Sequence, residues 1–179
     1  MNEGKISVRY AKALFTLAKE ENQHNQVMKD MENLLNLFAS VPEFNELTDN
    51  PVIKPSQKMD MLNIIIRDRV RPITQSFIKL IVENNRLNYL GSIARIYLDM
   101  YKQNLGIKPV TLITAVPVDG DLRHTILRIV EKRMNIKIEL EEKIDAGLIG
   151  GFILKIGNQQ IDASISYQLE KIKKELIRS

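Results

Sequence analysis

The sequence predicts a mainly α-helical chain, with an N-terminal six-helix bundle followed by a small α/β domain that has a mixed sheet and a C-terminal helix. Apolar residues recur at helical spacing through about the first hundred residues. Glycine is nearly absent from that region, where only Gly4 and Gly91 precede Gly106. After Gly106 the apolar residues alternate, as they do in strands. We therefore divide the chain into domains of residues 1–105 and 106–179.

The joints between the helices of the bundle are marked by proline. Pro42, Pro51, Pro55 and Pro72 stand where a missing N–H group costs least, because the first turn of a helix has no internal partner for it. The spacing predicts helices near residues 5–21, 24–40, 43–48, 55–69, 72–84 and 86–104. Connections this short are typical of a compact bundle.

The helices near 5–21 and 72–84 are apolar on two sides, whereas an ordinary surface helix buries one stripe. On the first helix, one stripe carries Ile6, Tyr10, Ala13, Leu14 and Leu17, and the nearly opposite stripe carries Val8, Ala11, Phe15 and Ala18. On the other helix, one stripe carries Ile73, Phe77, Leu80 and Asn84, and the second carries Ile78 and Val82. Either the bundle encloses both helices, or each faces the core on one side and an apolar partner on the other.

If one stripe is open, we expect it to be the one that carries Tyr10 and Ala13. Ala13 lets a partner helix approach closely, and the hydroxyl of Tyr10 favours water or a polar partner. Asn84, on the corresponding side of the other helix, is a poor core residue. The candidate groove residues are Tyr10, Ala13, Leu14, Leu17, Phe77 and Leu80.

The second domain is predicted to combine strands with two helices. Alternation and β-branched residues predict strands near residues 110–116, 136–140, 151–156 and 159–162, and helical spacing predicts helices near 122–130 and 165–176. The first strand should stop before Pro117. Gly157-Asn158, between the last two strands, is typical of a two-residue hairpin.

The C-terminal helix has an apolar stripe beside basic residues. Ile165, Leu169, Ile172 and Leu176 fall on one face, which must be buried either on the domain's own strands or against a partner. The flanking Lys171, Lys173, Lys174 and Arg178 are either solvated charge or steer an acidic partner. The candidate partner contacts are Leu169, Ile172, Lys173, Lys174 and Leu176.

Composition excludes several classes of protein. The chain has no cysteine, which fits a reducing compartment and removes disulfides and thiolate metal sites. No apolar run approaches the roughly 20 residues that span a bilayer, so we expect a soluble protein that reaches a membrane only through a partner. The net charge of +4 is shared equally by the two domains, so the counts give no sign of a basic face for nucleic acid.

We find no signature of catalysis, a cofactor or a metal. His24 and His124 lie in different domains, and neither has a second ligand at metal spacing. The glycine-rich segment 147–152 lacks the Lys-Ser/Thr ending of a phosphate-binding loop and precedes a strand rather than a helix. Glu141 and Glu142 should project from opposite faces of a strand, which spoils them as a carboxylate pair.

Three segments resemble the delta subunit of F-type ATP synthase, the family of the mitochondrial oligomycin-sensitivity-conferring protein. Residues 147–164, GLIGGFILKIGNQQIDAS, resemble the family's C-terminal signature, with Gly147, Gly150, Gly151, Gly157, Asp162 and Ser164 as its structural positions. Residues 9–18, RYAKALFTLA, resemble its opening helix, and residues 83–87, ENNRL, resemble the turn between its fifth and sixth helices. The resemblance covers essentially the whole chain. Asn158 and Ala163 depart from it, standing where an acidic residue and glycine are common.

The resemblance implies a non-catalytic stator component of the proton-translocating enzyme, which ties the catalytic head to the peripheral stalk against rotor torque. The N-terminal domain would bind N-terminal helices of the alpha subunits, and the C-terminal domain would bind the b subunits. It also implies one copy per complex, at the cytoplasmic face of the bacterial inner membrane, without membrane insertion or nucleic acid. The alternative is a helical nucleic-acid-binding or other protein-interaction module. Five Phe and five Tyr, not interleaved with basic residues, argue against nucleic acid.

Overall fold

The computed structural model describes residues 3–67, 69–134, 136–157 and 159–178. The chain divides into two compact units, Met1–Lys102 and Gln103–Ser179. The fold class is the predicted one, mainly α-helical with a small mixed sheet. Among the described residues, no helix combines the length and the hydropathy that crossing a bilayer requires.

The first unit is a helical bundle. Its elements are α1 (Glu3–Glu20), α2 (His24–Ser40), α3 (Pro42–Asp49), α4 (Pro55–Ile66), α5 (Pro72–Glu83), a 3-10 turn at Leu87–Tyr89, and α6 (Leu90–Asn104), whose last two residues fall in the second unit. Three of the helices begin at a proline, where the absent N–H group is one that the first turn leaves unpaired.

Buried aromatic and aliphatic side chains form the core of the bundle. Tyr97 is 0% exposed and packs edge-on against Phe15, with ring centroids 5.4 Å apart. Its hydroxyl donates to the carbonyl of His24 at 3.2 Å, which ties α6 to the start of α2. Burial raises the pKa of Tyr97, so the hydroxyl keeps its proton and remains a donor.

Helix α4 is shorter than the predicted 55–69, because the N–H group of Arg69 donates to the carbonyl of Ile66 at 2.9 Å and the chain tightens into a turn. The Gln75 amide donates to the carbonyls of Arg67 at 3.0 Å and Val70 at 3.2 Å. The Asn33 amide donates to the carbonyl of Arg69 at 3.3 Å. Pro72 has no N–H group to continue the helix. These hydrogen bonds hold the connection between α4, which ends at Ile66, and α5.

The predicted helix 86–104 is also wrong at its start. Asn85 adopts φ of 54°, and the N–H groups of Asn85 and Arg86 donate to the carbonyls of Val82 and Ile81. This left-handed cap ends α5 and turns the chain, so that α6 begins only at Leu90. Helix α1 ends in the same way at Asn22, with φ of 55°.

The second unit combines a four-stranded sheet with two helices. Its elements are β1 (Ile107–Thr114), α7 (Gly120–Met134), β2 (Lys137–Ile144), β3 (Phe152–Ile156), β4 (Gln159–Asp162) and α8 (Ile165–Arg178). The strand order is β2-β1-β3-β4, with β1 and β2 parallel and the other pairs antiparallel. One face of the sheet packs on α7 through Val110, Leu112, Leu140, Leu154 and Ile156.

The first strand ends two residues before the predicted Val116. The hydroxyl of Thr114 donates to the carbonyl of Val116 at 2.7 Å, which turns the chain out of the sheet. Gly157 adopts φ of 56° between β3 and β4, in keeping with a tight connection there. Asn158, the other residue of the predicted hairpin turn, lies outside the described residues.

Candidate functional site

Helices α1 and α5 form an open, largely apolar depression of about 410 Å³ between them, which we call the α1/α5 groove. It is lined by Arg9, Tyr10, Ala13, Leu14, Leu17, Phe77, Leu80 and Asn84. The structure thus brings together all six candidate groove residues. Arg9 was not among the candidates, although its position next to the Tyr10 stripe could have indicated it.

The groove has a buried floor and an exposed apolar rim. Leu14 and Phe77 are 1% and 7% exposed and form the floor, whereas Leu17 and Leu80 are 44% and 48% exposed. The ring of Tyr10 stands edge-on to that of Phe77, with centroids 6.3 Å apart, so that the two helices meet at this point. Burial of such a rim against a partner would remove apolar surface from water.

The opposite sides of both helices face the core. Ala11, Ala18 and Ile78 are 0% exposed, and Val82 is 2% exposed. Neither helix is enclosed by the bundle, because Leu17 and Leu80 on the groove side stay half exposed, although Leu14 and Phe77 on that side also join the core. The expectation that Val8 belongs to the buried stripe is wrong: it is 50% exposed, because Ser7, one residue earlier on the helix, takes the buried position.

Polar groups stand at the edges of the groove. The Arg9 guanidinium lies 5.6 Å from the centroid of the Tyr10 ring, within range of a cation–π contact. The Asn84 amide donates to the carbonyl of Leu80 at 2.7 Å, so this side chain caps the end of α5. An apolar centre with polar edges is typical of a protein-docking site.

The signature positions of the second unit build the junction that starts α8. The Asp162 carboxylate accepts from the N–H group of Ser164 at 2.9 Å. The Ser164 hydroxyl then accepts from the N–H group of Tyr167 at 3.2 Å, as an N-cap does. The N–H group of Ile165 donates to the carbonyl of Gly150 at 3.0 Å, which fastens the first turn to the preceding loop.

Glycine is required where this junction is tightest. Gly151 has φ of +79°, and a Cβ atom there would lie 2.3 Å from the carbonyl oxygen of Ala163. At Gly150, a Cβ atom would lie 2.8 Å from the side chain of Ile165. Gly147 sits in a turn in which its N–H group donates to Asp145 at 2.9 Å. Ala163 has no positive φ, so the departure from the family pattern is accommodated.

Helix α8 leaves its apolar stripe uncovered. Ile165, Leu169 and Ile172 are 44%, 57% and 53% exposed, so the domain's own strands do not bury them. The side chain of Leu176 lies outside the described residues. Lys173 and Lys174 are exposed, and Lys174 lies 2.8 Å from Glu170. A hydrogen bond from Lys174 lowers the pKa of Glu170.

Glu141 and Glu142 each form an ion pair with a basic residue of the same unit. Glu142 lies 3.0 Å from Arg123, and Glu141 lies 3.6 Å from Lys143. Within the described part of the chain, no group of three His, Cys, Asp or Glu side chains is arranged to hold a metal ion.

Comparison with known proteins gives one consistent family. The chain matches the family described as ATP synthase delta (OSCP) subunit over residues 6–176. ATP synthase subunit delta of Parabacteroides distasonis is 36% identical over 179 residues, covering 100% of this chain and 99% of that protein. The protein of the same name from Christiangramia forsetii is 33% identical over 176 residues, covering 98% and 95%.

A solved structure agrees. A chain in the cryo-EM structure of the Toxoplasma gondii mitochondrial ATP synthase hexamer superposes with a TM-score of 0.69 at 27% identity, covering 96% of this chain and 97% of that chain. The matched residues 6–176 include both the α1/α5 groove and the junction before α8. The chain belongs to the ATP synthase delta (OSCP) subunit family.

Proposed function

We propose that the chain is a stator component of a proton-translocating F-type ATP synthase, which links the catalytic head to the peripheral stalk and resists rotor torque. The α1/α5 groove is the observation that carries this proposal, because two helices leave apolar side chains half exposed around a buried floor. A subunit that links the head to the stalk requires affinity for both and stiffness, rather than catalytic groups. Membership of a family of structural, non-catalytic subunits supports it.

The groove suits an amphipathic helix. Ala13 is small and exposed, so a partner helix can approach the backbone of α1 between the rims formed by Leu17 and Leu80. We assign this site to N-terminal helices of the alpha subunits. Tyr10, Leu14 and Phe77 would pack beneath such a helix, and Arg9 and Asn84 would lie at its edges.

Helix α8 is the corresponding surface on the second unit, and we assign it to the b subunits. Its exposed Leu169 and Ile172 supply apolar surface, and the neighbouring Lys173 and Lys174 supply positive charge for an acidic stretch of the stalk. One copy would serve each complex, at the cytoplasmic face of the bacterial inner membrane. The bacterial relatives, matched over nearly their full length, support that location.

The experiment is co-purification from membranes. A tagged chain is expressed in cells that lack their own copy, and the chains that co-purify from the solubilised membrane fraction are identified by mass spectrometry. We expect alpha and b subunits together. Recovery of neither would contradict the stator role, and recovery of only one would remove the linking function. A fragment of residues 1–105 should still recover the alpha subunit.

A further inference from the structure

A second, polar groove lies between α2 and the connection from α4 to α5. Two adjacent depressions of about 500 and 420 Å³ share Asn33 and Arg69, whose hydrogen bond lies where they meet, and we call them together the α2 groove. Its lining on α2 runs from Gln26 to Ser40. At about 1.5 Å per residue, this stretch of helix is about 21 Å long.

The α2 groove is rich in unpaired positive charge. Lys29, Arg67, Arg69 and Arg71 line it, and all four are exposed. Within the described ranges, none of the four has an ion-pair partner closer than 4.0 Å. Four cations line this groove although the chain as a whole has a net charge of only +4.

The arginine-bearing connection is held in place by its backbone. Asn33 and Gln75 bind the carbonyls of Arg67, Arg69 and Val70, as described for the end of α4. The N–H group of Arg71 donates to the Asp30 carboxylate at 2.8 Å. Because these bonds fix the backbone, a ligand would meet guanidinium groups whose attachment points are already ordered.

The acidic residue in the described lining, Asp30, already has hydrogen-bond donors as partners. Asp30 is 4% exposed, and one of its oxygens accepts from both Arg71 N–H and the Thr74 hydroxyl, the latter at 2.6 Å. This carboxylate lines the groove but is almost fully buried, and it caps the start of α5 from another helix. Asp68, between Arg67 and Arg69 in the sequence, lies outside the described residues.

We propose that the α2 groove binds an extended acidic peptide segment of another protein, through carboxylate pairs with Arg67, Arg69, Arg71 and Lys29. Guanidinium groups bind carboxylates through two parallel hydrogen bonds, which gives them geometric specificity. The exposed amides of Gln26 and Asn36 along the same groove suit the backbone of an extended chain. At about 3.3 Å per residue, a groove of about 21 Å holds about six residues.

The lining favours a peptide over other polyanions. It includes no aromatic side chain on which a base could stack. Its apolar members, Leu37, Val70 and Pro72, include none of the large exposed hydrophobic side chains that would insert into a lipid surface. The site is separate from the α1/α5 groove, with which it shares no lining residue.

The test is a fluorescence anisotropy titration of the full-length chain with a labelled hexaglutamate peptide, in low and physiological salt. We expect saturable binding that Arg67→Gln/Arg69→Gln weakens about tenfold or more. The matched control is Lys5→Gln/Lys12→Gln, which removes two exposed cations from α1 and should change the affinity less than about twofold. If the first variant loses its circular dichroism signal, Lys29→Gln/Arg71→Gln takes its place with the same expected loss.

Three further outcomes test the role of the guanidinium groups, the location of the site and the class of its ligand. Arg67→Lys/Arg69→Lys keeps the charge but loses the forked donors, so we expect binding weaker than that of the wild type by about threefold or more. Wild-type affinity of this variant would overturn recognition by the guanidinium forks. Absence of hexaglutamate binding, or equal losses in the Gln variants and their control, would overturn the site. Tighter binding of a single-stranded dodecanucleotide or of phosphatidylserine vesicles would overturn the peptide as its ligand.

Discussion

The α1/α5 groove and helix α8 both present apolar side chains to solvent, but they do so on different supports. The groove has a floor of Leu14 and Phe77 that the bundle already buries, and only its rim is open. Helix α8 has no such floor, because every described side chain from Ile165 to Lys174 is exposed. One surface is thus preformed by packing, whereas the other is a single amphipathic helix fastened at its first turn.

The difference bears on how each surface binds. A preformed groove loses little conformational freedom on binding, so its affinity depends on the fit of the partner helix. An isolated helix of 14 residues is marginally stable in water, so a partner that covered α8 would stabilise it. Changes that alter the scaffold should therefore lower stability, and changes to the open surfaces should lower binding alone.

The largest effect is expected at the junction that fastens α8. Gly151→Ala places a Cβ atom 2.3 Å from the carbonyl oxygen of Ala163, at a positive φ. We expect it to destabilise the second unit by more than about 3 kcal/mol. Gly157→Ala is the matched control, since its φ is also positive but its Cβ atom would meet open space, and it should cost about 1 kcal/mol. Urea unfolding measures both, and equal losses would contradict the role of the close contact.

In the first unit, Asp30→Ala should lower the free energy of unfolding by about 2–3 kcal/mol. It leaves the Arg71 N–H group and the buried Thr74 hydroxyl without their charged acceptor. The exposed Asp60→Ala on α4 is the control and should change stability by less than about 0.5 kcal/mol. Equal urea midpoints for the two variants would show that the carboxylate does not hold α2 to α5.

Ala13→Asp should leave the bundle folded, because Ala13 is exposed in the free chain. A partner helix in the groove would bury the new carboxylate without a counter-charge, so we expect affinity for a synthetic alpha-subunit N-terminal peptide to fall by about 2 kcal/mol. Thr16→Asp, on the same helix but outside the groove lining, adds the same charge and should bind nearly normally. Unchanged affinity of Ala13→Asp with a normal circular dichroism spectrum would remove the groove assignment.

On α8, Leu169→Ser/Ile172→Ser should leave the melting temperature almost unchanged, since both side chains are more than half exposed. Binding of a soluble b-subunit fragment, measured by calorimetry, should weaken about tenfold, because the apolar surface for the partner is lost. A marked fall in stability instead would mean that α8 packs on its own unit.

The smallest effect is expected from Lys173→Glu/Lys174→Glu. These side chains are exposed, and Lys174 has Glu170 as a neighbour, so the change should act mainly on the salt dependence of b-subunit binding. If both the affinity and its salt dependence survive, the basic flank is ordinary solvated surface and the stalk contact lies elsewhere.

The sequence predicted the features that depend on local residue patterns. Prolines marked the starts of three helices, and two-sided apolar patterns on α1 and α5 indicated which side chains converge on the groove. The end of α4 was missed because the apolar pattern does not show the turn after Ile66, in a connection that Asn33 and Gln75 hold through tertiary hydrogen bonds. The α2 groove was also missed. Arg67, Arg69 and Arg71 lie within five consecutive residues, but charge counts averaged over a domain hid them, and only the fold adds Lys29.

The central claim is that each unit carries its own docking surface for a different part of the same complex. The most direct test uses two full-length variants, Ala13→Asp and Leu169→Ser/Ile172→Ser. For each we measure co-purification of the b subunits and binding of the alpha-subunit N-terminal peptide. We expect Ala13→Asp to retain the b subunits and lose direct binding of the alpha-subunit N-terminal peptide, and the α8 variant to do the reverse. Loss of the same partner by both variants, or of neither partner by either, would contradict the claim.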